Sequence, residues 1–70
     1  MQPLIFLQQG ESGRVKRVGG SDETRRFLAG LGFVEDAEIS VVSKLNGNLI
    51  VNIKDARVAI NEDMAKRIMV

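Results

Sequence analysis

Apolar residues come in short clusters along the chain, broken every ~8–12 residues by glycine, asparagine or aspartate. The spacing predicts short strands joined by tight turns. The apolar run Leu4-Ile5-Phe6-Leu7 comes after Pro3, and a turn is predicted at Gly10-Glu11-Ser12-Gly13. Arg14 to Val18 reads as the first clear strand. Its apolar residues, Val15 and Val18, are three apart, so strict alternation would send them to opposite faces. The segment therefore carries a bulge or has both faces partly covered.

After Gly19-Gly20 the period changes. Ser21 is placed to cap a helix running from Asp22 to about Leu31, with Asp22 and Glu23 at its positive end. Phe27, Leu28 and Leu31 form its expected apolar face, with Arg25, Arg26 and Ala29 away from the centre. Gly32 is the expected left-handed stop, and Phe33 is expected to fold back on Leu28. Ala37 to Leu45 and Leu49 to Ile53 read as two strands of a hairpin turning at Asn46-Gly47, a pair suited to positive φ at both positions. Lys54-Asp55 turns the chain again into Arg57 to Ile60. Asn61 caps a helical turn, Glu62 to Arg67, and Ile68-Met69-Val70 is expected to close a sheet. The predicted fold is mainly β: a small SH3-like barrel of about five strands, with one α-helix inserted after the second and a short helical turn near the C-terminus. A ferredoxin-like arrangement needs two comparable crossover helices, and only one is visible.

Seventy residues make one small domain, expected to span residues 1–70. The net charge of +1 sets it apart from strongly cationic nucleic-acid coats. With no Cys and no His, the commonest metal ligands and the commonest general base are missing. The acidic groups Asp22-Glu23, Glu35-Asp36 with Glu38, and Glu62-Asp63 are the remaining metal donors, and two of them fall where helix dipoles recruit carboxylates anyway. Ser12, Ser21, Ser40 and Ser43 have no partner base in a recognisable arrangement. No catalytic residue, metal ligand or cofactor is assigned, and the chain is read as a non-enzyme. No apolar run reaches the ~20 residues of a membrane span or the ~7–15 of a signal-peptide core, so a cytoplasmic protein is expected. The glycines flanking the first strand do not form a phosphate-binding loop. Arg14, Lys16, Arg17, Arg25 and Arg26 place half of the ten basic residues within 13 positions. They make a solvated face or a docking face for an acidic partner. With no Trp or Tyr, the aromatic groove of a proline-peptide binder is missing, and so are platforms for single-stranded nucleic acid.

The ordered signals resemble the FeoA family of bacterial ferrous iron transport. Leu4-x-x-Leu7-x-x-Gly10 resembles the family's opening, and Val15, Val18 and Gly20 match its first strand. Leu28-Ala29-Gly30-Leu31-Gly32-Phe33 resembles its Leu-x-x-Leu-Gly-Phe/Met stretch. Ile39 and Val41 match its second strand and Gly47 its hairpin. Val58-Ala59-Ile60, Ala65 and Ile68-x-Val70 match its closing segment. The chain departs from the pattern at three positions. Asp36 stands where the family has Gly, Phe27 where an Arg often stands, and Asp55 at a turn where Gly is common.

The resemblance implies an SH3-like barrel with an inserted helix. It also implies an accessory, regulatory role at a membrane ferrous-iron transporter with a cytosolic GTPase domain. The protein would be recruited to the inner face of the cytoplasmic membrane by that partner. The same domain resembles the C-terminal module of metal-dependent repressors. The candidate docking residues are Arg25, Arg26, Leu31, Gly32 and Phe33, where positive charge meets apolar surface. Two other readings stand beside this one: a small RNA- or ribosome-associated barrel, and self-association through a sheet edge or apolar patch.

Overall fold

The computed structural model describes residues 1–70. Four antiparallel strands form the main sheet in the order β1 (Ser12–Arg14), β3 (Glu38–Leu45), β4 (Asn48–Ile53) and β5 (Ala56–Ile60). A second sheet pairs β2 (Arg17–Val18) with β6 (Ile68–Met69). The helices are α1 (Asp22–Gly30) and α2 (Glu62–Arg67). The two sheets enclose the core in the manner of a small SH3-like barrel, the architecture that the turn spacing predicts. The strand count is six where about five are expected.

The difference arises at the first strand. Arg14 to Val18 is not continuous: β1 begins earlier, at Ser12, and the chain leaves it at Val15 to enter the other sheet as β2. At the break, the Val15 N–H donates to the Ala37 carbonyl (2.9 Å) and its own carbonyl accepts from the Asp36 N–H (2.8 Å). Val15 is thereby fully buried at the corner between sheets. The expected turn at residues 10–13 is shortened, because Ser12 and Gly13 pair with Ser40 and Ile39. The opening run is also no strand. Leu4–Phe6 is a single 3₁₀ turn that buries Leu4, with Leu7 buried just after it and Phe6 exposed.

The hairpins form where the sequence places them. Asn46 (φ 52°) and Gly47 (φ 83°) both occupy the left-handed region, as a two-residue turn between β3 and β4 requires. Period-2 alternation buries Leu49, Val51 and Ile53 against Ile39 and Val41 across the ladder. A bulge between Val41 and Ser43 shifts the register midway along β3. At the second turn the positive φ falls on Lys54 (55°), not on Asp55.

The C-terminus closes the structure, as its apolar ending predicts. Val70 and Gln2 exchange backbone hydrogen bonds (2.8 and 2.9 Å), and Pro3 bridges to Met69. Thirteen apolar residues form one buried cluster drawn from nearly every element, including Leu28 of α1, Phe33 after it and Ala65 of α2. Each large side chain fully buried there contributes ~1.5–3 kcal/mol. No helix is long and apolar enough to cross a membrane.

Candidate functional site

Helix α1 is fixed at both ends by groups encoded within 13 residues. The Ser21 hydroxyl accepts from the Thr24 N–H (3.2 Å), and Asp22 and Glu23 occupy the first turn. At the other end the Phe33 N–H donates to the Leu28 carbonyl and the Gly32 N–H to the Ala29 carbonyl, each at 3.0 Å. That pair of bonds is a Schellman stop, with Gly32 at φ 111° as its left-handed residue. A helix held this way presents its outer side chains from a rigid base.

The outward stripe is Asp22, Arg25, Arg26 and Ala29, spaced i, i+3, i+4 and i+7. Arg25 pairs with Asp22, whereas Arg26 makes no ion pair or side-chain hydrogen bond. The uncompensated charge on this stripe is therefore that of Arg26. Of the remaining basic cluster, Arg14 donates to the Asp36 carbonyl (3.2 Å); outside that cluster, Arg67 of α2 lies alongside Gly20 just before α1.

The five docking candidates separate into two groups. Arg25 and Arg26 are on the surface, and Leu31 is half-buried against the core. Gly32 is buried, and Phe33 is only 1% exposed. Phe33 therefore offers no surface to a partner: the stop that it helps to form draws its ring into the core. Its contribution to any docking face is to hold α1 in place.

The apolar surface that the helix does offer is Phe27, 53% exposed. The inward position expected for Phe27 is thus corrected. Only Leu28 of α1 is fully buried, and Phe27 stands about 100° around the helix from it. Phe27 and Met64 of α2 together line two shallow grooves. Ser21, Glu23 and Thr24 complete one, and Asn48, Ala59, Ile60 and Asn61 complete the other. Asn61 caps α2 by accepting from the Met64 N–H (2.9 Å), which fixes the backbone beneath Met64. The stripe Thr24-Phe27-Leu31 is the sequence signal that marks this seam, because it borders the buried line through Leu28 without lying on it.

The acidic groups do not converge: nowhere do three or more carboxylates come together as a metal-binding cluster. Asp36 takes φ 70° between α1 and β3, so the turn survives the replacement of the usual glycine. Ser21 is engaged as a cap and in a hydrogen bond to Thr24 Oγ1 (3.1 Å).

The FeoA domain matches residues 2–70 of this chain. A curated Methanocaldococcus jannaschii protein named Putative Fe(2+) transport protein A is 30% identical over all 70 residues, which span 85% of that protein. Among solved structures, an iron uptake regulatory protein FeoA superposes with a TM-score of 0.88 at 28% identity, covering 96% of this chain and 89% of that one. A Stenotrophomonas maltophilia FeoA, described as a prokaryotic SH3 domain protein and solved with zinc, superposes with a TM-score of 0.81 at 30% identity. The match covers 94% of this chain and 85% of that one.

Proposed function

The chain belongs to the FeoA family, small accessory proteins of ferrous iron transport, and from that premise we propose that it docks on the cytosolic, GTPase-bearing part of a membrane iron transporter. The observation that carries this reading is the adjacency of Arg26 and Phe27 on α1. One is an unpaired cation, the other an exposed aromatic ring, and both stand on a helix capped at each end. Arginine and aromatic residues are the side chains most enriched where protein interfaces concentrate their binding energy. Docking recruits the protein to the inner face of the membrane.

The reading is regulatory and non-enzymatic. The chain has no His or Cys, and its carboxylates are dispersed, so its own donors suit neither iron transfer nor acid–base chemistry. The shape and charge of its surface act on the partner. An RNA-associated role is the weaker reading, because Arg25 and Arg14 are already engaged within the protein.

Calorimetric titration of the transporter's cytosolic region tests the proposal. Arg25→Glu with Arg26→Glu, and separately Phe27→Ser, are expected to weaken binding roughly tenfold or more. Melting temperature should stay within a few degrees, since none of the three side chains is in the core. Wild-type affinity in both variants overturns this docking face.

A further inference from the structure

β5 ends the four-stranded sheet, and its one extensive backbone neighbour is β4. Ile53 and Ala56 close a two-residue turn, so the ladder to β4 runs through the backbones of Ala56, Val58 and Ile60. The N–H and C=O groups of Arg57 and Ala59 point the other way, and no turn, loop or cap bond takes them up. Ala56, Arg57 and Ala59 are exposed, and Val58 is half-buried. Natural edge strands are blunted by proline, bulges or charge. β5 has no proline, and its pairing with β4 is regular. Its single charge, Arg57, leans back from the edge across the outer face of the sheet, where its Nε donates to Asn52 Oδ1 of β4 (3.3 Å).

We propose that β5 is a homodimer edge, pairing antiparallel with β5 of a second copy about a two-fold axis at Val58. In that register Arg57 faces Ala59 of the second copy, and Ala59 faces its Arg57. Each pair exchanges two backbone hydrogen bonds, four in all. The small Ala59 leaves room for the arginine, and no like charges stand opposite one another. On the inner face the half-buried Val58 meets its own copy, and the exposed Ala56 lies beside Ile60, which is already buried in its own core. Charge favours the same partner. The start of β5 carries Lys54, Asp55 and Arg57, a net +1, and its end runs into Glu62, which also pairs with Lys66 (3.1 Å), and Asp63. Antiparallel self-pairing brings each end towards the opposite sign. Five residues make a small interface, so the dimer is of the weak, transient class.

Sedimentation velocity of the isolated protein from about 10 μM to about 1 mM tests this without the transporter. A monomer–dimer equilibrium is expected. Ala59→Lys sets like charges opposite Arg57 twice per dimer and should weaken association roughly tenfold. Arg57→Glu combined with Ala59→Lys converts both clashes into ion pairs and should restore it. Ala59→Pro removes one outward N–H that the ladder to β4 does not use and should abolish the dimer. If the proline variant misfolds, the charge pair decides. Wild type that stays monomeric throughout, or a dimer indifferent to Ala59→Lys, overturns the proposal.

Discussion

A methyl group built on Gly32 would stand 3.4 Å from Ile53 Cγ1, and the Gly32 backbone sits at φ +111°. The residue that stops α1 is thus also the point where the chain passes against β4. Gly32→Ala is expected to cost at least ~1–2 kcal/mol from the left-handed backbone alone. The melting midpoint should fall by ~4 °C or more. Two positions earlier, Gly30 is the last residue of the helix, at an ordinary φ with nothing within 4 Å of a built Cβ. Gly30→Ala should stabilise by about 0.5–1 kcal/mol, because alanine loses less backbone freedom than glycine in a helix. Opposite signs from the same substitution, read by thermal melting, check the account of this stop.

Phe27 and Leu28 are neighbours with opposite environments, one 53% exposed and the other fully buried. Leu28→Ala should cost about 2–5 kcal/mol, since it leaves a cavity among Phe33 and the sheet residues. Phe27→Gln should cost less than ~1 kcal/mol, because glutamine is a good helix former and little buried area is lost. Urea denaturation of both variants distinguishes the two positions. A large loss at Phe27 would mean that its ring serves the fold and is not free for a partner.

Asn61 caps α2, which leads directly into the closing strand β6. Its side chain accepts from the Met64 N–H, and α2 is only six residues long, too short to persist without its cap and its packing. Asn61→Ala should cost about 0.5–2 kcal/mol, and Asn61→Asp should retain most of the stability. The looseness should extend into β6. Hydrogen exchange should quicken at the Lys16 amide, which bonds to the Met69 carbonyl, and at the Val70 amide, which bonds to Gln2.

What could be read from the sequence was local. Ser21, Leu28, Gly32 and Phe33 define α1 and its stop within 13 residues, and Asn46-Gly47 sets its hairpin by backbone preference alone. The break at Val15 could not be read in this way. It depends on hydrogen bonds to Asp36 and Ala37, more than 20 residues away, and on β6 arriving to pair with β2. The fold-back of Phe33 on Leu28 was legible in the Gly-Phe stop, but how deeply the stop is buried was not. The stop alone leaves open how far it is covered, and at Gly32 the neighbouring Ile53 side chain decides for burial. Phe27 faces outward because α1 buries a single line of contact, a width that the helical period by itself leaves open.

A ligand that binds the folded state raises stability by RT ln(1 + [L]/Kd), about 2.7 kcal/mol at a hundredfold excess over Kd. A resident ferrous site of micromolar affinity would therefore raise the melting midpoint by ~10–20 °C at 100 μM Fe(II). Apart from three Met thioethers, which suit soft ions, and Lys amines, which are protonated, the chain offers carboxylates, carbonyls and hydroxyls, ligands that suit hard cations and need about six converging oxygens. Its acidic residues nowhere gather in threes. Anaerobic calorimetry with Fe(II), and again with a chelator, should give midpoints within ~2 °C of each other. A larger shift, saturating at one equivalent per chain, would make the protein an iron binder, and docking alone would no longer account for its role in transport.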